Sequence, residues 1–543
     1  MRPRAIPLPT VLAGALSSLA AALFVVLPRR GGLDDAFGLA AYLSFFFVPA
    51  AVGAGLLLRR LLPRRSEWIR LELLGLFLAT TLLPSLADVA RTREPAPVAS
   101  DPRSPSAAPH APVVLIGLDG ADERLLALGI EAGELPTFAR LIREGTSGAL
   151  RTLVPTESPA LWTTVATGHP PEIHGVEEYA LTRFAGVGPP FGISHPPPVP
   201  GWRLVRGLAR RTGLAWADLV SSSQRRVPAI WGLASACGER VAVVHWWASW
   251  PAEAVNGWLV TDRLAYHRSL AREGIAPAER ALTHPPGLAA SLAPLVRDPA
   301  LLPASLLAER SGLSEEETER FFRNPPADAE PARSELAFLA ALDETYGAVA
   351  LRAADELPDL DFLAVYLRGI DIAQHAALAF DPRLVPGIPR ERARLFGEIV
   401  RRTYRWTDRW LADLLARLPP DALVLVVSDH GVRRAVDEDG SVRFHHDDAP
   451  PGILLARGPR VPSGARIEGA SILDVAPTVL AALGLPVPCE MPGRAWTELL
   501  GPGASVARVP TWRTLRPPSA DPAPEPGVSA EAERRLRSLG YLR

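Results

Sequence analysis

The chain is 543 residues long, too long for one hydrophobic core, so two or more parts are expected. Its formal charge of −1 comes from 58 arginines against 59 acidic residues, with no lysine, and gives no whole-chain basic surface to suggest a nucleic-acid partner. Cys237 and Cys489 are the only cysteines, which excludes a disulfide framework, a zinc knuckle and a redox pair.

Residues 1–91 read as a membrane segment. Runs 5–28 and 36–58 each exceed twenty residues without a charge, enough for a helix to cross a bilayer core. A third run, 71–90, carries Glu72 and Asp88 near its ends and Pro84 inside. With three spans, Arg2, Arg4, Arg59, Arg60, Arg64, Arg65 and Arg70 fall on one side, and Arg29, Arg30, Arg91 and Arg93 on the other. The arginine-rich side is expected in the cytoplasm, which places the rest of the chain outside it. Residues 92–112, rich in Pro, Ala and Ser, read as an extended linker.

From 113 to about 505, short apolar runs alternate with helix-like segments. This predicts an α/β domain whose mostly parallel sheet is covered on both faces by helices. Ligands of such sheets gather beyond the carboxyl ends of the strands. VVLIGL is followed by Asp119, DFLAVYLRGI by Asp371 with His375 four residues on, and ALVLVVS by Asp429 and His430. One strand-end aspartate is ordinarily a helix cap, but three of them, two with a histidine, point to metal ligation. Asp371 and His375 at i, i+4 would share one helix face.

Ser158-Pro159 opens a helix-like run, with Ser158 expected at the N-cap and Pro159 at the first helical position. The partial positive charge of a helix start also favours a phosphoryl group. A histidine pair, His445 and His446, precedes the apolar run GILLA. The stretch from Arg206 to about 226 reads as helix after a proline-rich segment. VAVV reads as a further strand, with Trp246, Trp247 and Trp250 mainly as core. Residues 265–330 read as a helical cap over the site, and 506–543 as a Pro-rich tail with a short C-terminal helix.

LIGLDG, LPTFARLIREG, PTESPALWTTVATGHPPEIHG, RGIDIAQH, VVSDHG and HHDDAPPGILLARGP stand in one order over about 113–500. In that order they resemble the alkaline phosphatase superfamily, in its type I phosphodiesterase/nucleotide pyrophosphatase branch. The resemblance implies an alkaline-phosphatase-like fold holding two divalent transition metal ions, zinc first and manganese second. One ion would be bound by Asp371, His375 and a histidine of the 445–446 pair, His446 being preferred to His445. The other would be bound by Asp119, Asp429 and His430, with the Ser158 oxygen beside it. Ser158 would be the nucleophile, Thr156 structural, and His174 a support for the nucleophile helix. The branch usually follows its HG pair with an asparagine that holds a phosphoryl oxygen, whereas here the residues are VEEYA, which speaks against nucleotide substrates. Ser158 is followed by Pro-Ala-Leu-Trp rather than the x-Pro-x-Arg of sulfatases.

The implied activity is hydrolysis of a phosphate ester, a diester before a monoester, through a phosphoseryl intermediate on Ser158 at the outer face of a membrane. The alternative is a phosphoethanolamine-type transferase with a lipid-linked substrate. A non-catalytic scaffold is the third reading. Neither the substrate nor the oligomeric state follows from the sequence.

Overall fold

The computed structural model describes residues 110–511, apart from 185–190, 193–205, 207–208, 212–214, 266–281, 325–329 and 439. The three expected membrane spans and the C-terminal helix lie outside these residues. Among the described residues no helix is long and apolar enough to cross a membrane. The described chain forms two compact units, one made of Ala180–Leu219 and the other of the remainder.

The larger unit is organised by a nine-stranded sheet. Its strands are β1 (Val113–Leu118) and β2 (Thr146–Leu150). The smaller unit supplies β3 (Ala180–Phe184), β4 (Phe191–Gly192) and β5 (Ala215–Leu219) to a sheet of its own. The large sheet continues with β6 (Val241–Val244), β7 (Gly257–Val260), β8 (Thr283–His284), β9 (Phe362–Leu367) and β10 (Leu423–Val427). A hairpin of β11 (Arg433–Val436) and β12 (Val442–His445) precedes the sheet's last strands, β13 (Gly452–Arg457) and β14 (Ala465–Arg466). The order is β14-β2-β13-β10-β1-β9-β6-β7-β8. The run β10, β1, β9, β6, β7 is parallel throughout, while β13 and β8 are antiparallel to their neighbours β10 and β7. Every residue of β1, β9 and β10 is buried, as expected of strands covered on both faces.

The helix Ser158–Thr167 is buried along its whole length and lies against the centre of the sheet. Gly117 makes that approach tight, because a Cβ added there would stand 2.4 Å from the Trp162 ring. Trp162 in turn packs edge-on against Trp246, with centroids 5.4 Å apart. The expected support from His174 is present. Val176 N–H donates to His174 Nδ1 at 3.1 Å, so the ring proton sits on Nε2, 3.0 Å from Thr164 Oγ1, and Thr164 donates to Ala160 O.

Of the expected cap segment, the helix Ala304–Ser311 packs on the long helix Glu330–Glu356 through the buried Arg310–Asp343 pair at 3.1 Å, and Glu315–Arg323 is tied to it where Arg333 Nη1 donates to Phe322 O at 2.9 Å. Asp343 also accepts from Gly369 N–H and so holds the start of the helix Gly369–Ala377. The stretch expected as helix up to 226 is corrected in part, because Ala215–Leu219 is a strand paired antiparallel with β3. Its Ala and Leu content favours helix, but pairing with a neighbouring strand overrides propensity.

Gly117→Ala is expected to cost about 1–3 kcal/mol by overpacking against Trp162, seen as a lowered melting temperature of the purified chain. His174 gives a pH prediction. Burial lowers its pKa from 6.5 to about 3, so the unfolded chain takes up a proton that the folded chain refuses. Its contribution is therefore complete above pH 6.5 and shrinks as pH falls toward 3, at about 1.4 kcal/mol per pH unit. Melting of His174→Gln beside the parent across this window is expected to show the variant losing less stability on acidification.

Candidate active site

Because β10, β1 and β9 are adjacent and parallel, the residues that follow them meet at one sheet edge. Asp119 leaves β1 with its N–H on Leu367 O of β9 at 2.9 Å. Asp371 lies in the first turn of Gly369–Ala377, and His375 one turn later brings Nε2 to 3.4 Å from Asp371 Oδ1. Asp429 and His430 follow β10 and are fully buried. His430 Nδ1 donates to Gly431 O at 2.9 Å, which turns Nε2 toward Asp119 and Asp429, each at 3.5 Å. Ligating atoms of Asp119, Asp371 and His430 all lie within 4.8 Å of one another. Gly120 lets the chain turn here with φ +69°, and a Cβ on it would come within 3.0 Å of the Asp371 Cβ.

Ser158 is shifted by one position from expectation. Glu157 is the N-cap, with extended backbone, and its carbonyl takes the N–H groups of Ala160 and Leu161. Ser158 is therefore the first helical residue, and its hydroxyl makes no cap bond. It is fully buried instead, donates toward Asp119 Oδ1 at 3.5 Å, and accepts from Tyr179 Oη at 3.0 Å.

The two histidines of the pair differ in their surroundings. His446 lies 4.7 Å from the His430 centroid and 5.2 Å from that of His375. His445 closes β12, with Nδ1 3.8 Å from Asp447. Thr156, expected to be structural, holds His446. Its hydroxyl donates to His446 O at 2.7 Å and lies 3.2 Å from Nδ1.

Electrostatically the cluster is an excess of electron-pair donors. Burial first, then Asp119, pushes the Asp371 carboxyl up, and Asp429 is raised in the same way by burial, Asp119 and Asp371. Burial holds His375 below the usual imidazole range and so favours its neutral, ligating form. Asp429 Oδ2 and His430 Nε2 are buried without a hydrogen-bond partner. Three carboxylates and three imidazoles facing one another fit divalent cations of the zinc or manganese kind. Asp119, Asp371, His375, Asp429, His430 and His446 are the residues placed to hold them.

Sequence reasoning missed the aromatic wall. Tyr366, in β9, donates a short hydrogen bond to Asp119 Oδ2 and accepts from Trp247 Nε1 at 2.7 Å. The buried Arg368 lies over Trp247 at 4.7 Å, and its charge favours the ionised form of Asp371. Gln374 Nε2 donates to Gly120 O at 2.6 Å and ties the Asp371 helix to the Asp119 turn. The signals were faint: a tyrosine inside a strand pattern, and a tyrosine where only the missing asparagine stood out.

A family model described as type I phosphodiesterase/nucleotide pyrophosphatase matches residues 113–454. Two curated relatives are 2,3-bisphosphoglycerate-independent phosphoglycerate mutases. That of Cereibacter sphaeroides is 38% identical over 77 residues, 14% of this chain and 15% of that protein. That of Agrobacterium fabrum is 34% identical over 95 residues, 17% of this chain and 18% of that protein. The chain thus spans less than a fifth of the length of these relatives. Among solved structures, phosphonoacetate hydrolase from Sinorhizobium meliloti in complex with phosphonoformate is 21% identical, with 61% of this chain and 59% of that one covered and a TM-score of 0.29. A mutant of alkaline phosphatase PafA is 15% identical over 72% of this chain and 99% of its own, with a TM-score of 0.41. A murine ectonucleotide pyrophosphatase/phosphodiesterase (ENPP5) in complex with AMP is 11% identical over 72% and 98%, with a TM-score of 0.40. Likenesses this low transfer no residue roles. The family model covers well over half of the 543 residues: the chain belongs to the type I phosphodiesterase/nucleotide pyrophosphatase family.

Proposed function

We propose that the chain hydrolyses a phosphodiester with Ser158 as nucleophile. The observation that carries this reading is the Ser158 hydroxyl, buried, freed from capping, and directed at Asp119 inside a cluster of three carboxylates and three histidines. Divalent ions held by Asp119, Asp371, His375, Asp429, His430 and His446 would supply the positive charge against which the hydroxyl ionises and the phosphoryl oxygens settle. The remaining work belongs to the protein's own groups. Helix packing on Gly117 fixes Ser158 Oγ, and the helix start adds a field that favours an anion. The Ser158 proton leaves to solvent, the Oγ–P bond forms, and the bond to the leaving alcohol breaks, that alcohol taking its proton from water. A second water then cleaves the phosphoserine ester, returning the Ser158 hydroxyl and releasing the phosphomonoester.

The apolar runs 5–28, 36–58 and 71–90 favour a membrane-anchored enzyme working outside the cytoplasm. They also favour a second reading, in which a phosphoalcohol moves from a lipid-linked donor to an acceptor other than water. The step to phosphoserine is common to both. Incubating the full chain with a labelled phosphatidylethanolamine and an added glycan acceptor separates them, since transfer leaves the label on the acceptor and hydrolysis leaves it in water.

Bis-p-nitrophenyl phosphate is expected to be turned over with a higher kcat/KM than p-nitrophenyl phosphate. Ser158→Ala is expected to lower the former by about a thousandfold or more. Undiminished turnover by that variant refutes the nucleophile assignment. Metal analysis of the purified chain is expected to give about two transition ions per chain. His446→Ala is expected to lower that content and His445→Ala to leave it intact; the reverse result would reassign the ligand.

A further inference from the structure

We infer that Tyr179 is a catalytic residue, its phenol first setting the Ser158 oxygen and then donating to a non-bridging oxygen of the transferred phosphoryl group. The inference rests on Ser158 being the nucleophile, as proposed above.

Tyr179 Oη stands 3.0 Å from Ser158 Oγ and donates to it. The direction of that bond follows from the serine. Ser158 directs its own proton toward Asp119 Oδ1, so its oxygen presents a lone pair to Tyr179. The phenol is 2% exposed and rigidly held. Its ring meets Trp247 edge-on at 5.5 Å, and its carbonyl takes Val220 N–H at 3.0 Å. Trp247 is itself fixed by its bond to Tyr366, the residue that donates to Asp119. The same aromatic wall thus orients both the nucleophile and the carboxylate it faces.

A donor so placed changes partners as the reaction runs. Before attack Oγ is a good acceptor, and the bond aligns it. As Oγ bonds to phosphorus its charge falls, an ester oxygen accepts poorly, and negative charge gathers on the non-bridging oxygens attached to that same phosphorus. These are the strongest acceptors near the phenol, and a preorganised donor aimed at developing charge has its largest effect there. No asparagine follows the His174-Gly175 pair in this chain, and Tyr179 is the donor that the fold brings to Ser158 from that stretch.

Tyr179→Phe keeps the ring and removes only the hydroxyl. In the full chain with bis-p-nitrophenyl phosphate, it is expected to lower kcat by about a hundredfold to a thousandfold, with KM changed far less. Inhibition by vanadate, which adopts the geometry of the transition state, is expected to weaken by about the factor lost from kcat/KM. Tyr179→Asn, which restores a donor, is expected to regain part of both losses. Parent-like kcat and vanadate inhibition in Tyr179→Phe, with Ser158→Ala inactive, overturns the role of Tyr179 and leaves the nucleophile standing. Full activity in Ser158→Ala removes the nucleophile and this inference with it. Loss of bound metal or a lowered melting temperature in Tyr179→Phe, without recovery in Tyr179→Asn, assigns the phenol to packing and overturns the inference as well.

Discussion

Mutual repulsion among Asp119, Asp371 and Asp429 is the constraint on which the rest of the structure depends. Three buried carboxylates within a few ångströms oppose folding unless positive charge joins them, because each raises the cost of ionising the others. The sheet makes the encounter unavoidable. β1 lies between β9 and β10, all three parallel, so the residues that follow these strands are forced together whatever their charge. Cations held there would remove the repulsion as well as form bonds, so their binding would stabilise the folded chain.

The groups around the cluster keep that arrangement from relaxing. Tyr366 binds Asp119, Gly120 N–H reaches Asp429 Oδ1 at 3.4 Å, Gln374 joins the Asp371 helix to the Asp119 turn, and Thr156 holds His446. Farther out, the Arg310–Asp343 pair is almost fully buried, and Asp343 grips Gly369 at the start of the helix that carries Asp371 and His375. A Cβ on Gly369 would fall 2.1 Å from Asp343 Oδ2, so that contact tolerates no side chain. These residues act through orientation, the usual task of groups behind a set of metal ligands.

Much of the fold and of the ligand set was legible because a parallel sheet writes itself plainly. Buried runs without alternation mark β1, β9 and β10, and the carboxylate after each stands at the end where ligands gather. The i, i+4 spacing of Asp371 and His375 needed only the helical period. The preference for His446 over His445 came from the family resemblance alone. In the structure His445 ends β12 and His446 stands just beyond it, a placement that the sequence pattern did not show. What stayed hidden depended on contacts between distant segments. The start of the Ser158 helix moved by one residue because Glu157 O captured the first two N–H groups, which Ser-Pro does not encode. Tyr179 sits in a polar stretch without a period, and only the fold brings its phenol to Ser158. The strand Ala215–Leu219 carries helix-favouring residues, and its pairing with β3 is a long-range fact.

Charge balance links this architecture to the choice of substrate. Under the proposed reading, the three carboxylates and an ionised Ser158 together match the charge of two divalent cations. Arg368 lies buried beside Trp247, with its field acting on Asp371. A diester would bring one negative charge into this site of low dielectric, whereas a monoester dianion would bring two and need more positive charge to offset the difference. With no lysine anywhere in the chain, no ammonium group can supply the difference. A neutral donor such as the Tyr179 phenol suits the smaller charge, because it stabilises a developing oxyanion without adding a fixed cation that would hold the product. Under the proposed reading, the same electrostatics that call for metal in the site favour a singly charged phosphoryl group as its substrate.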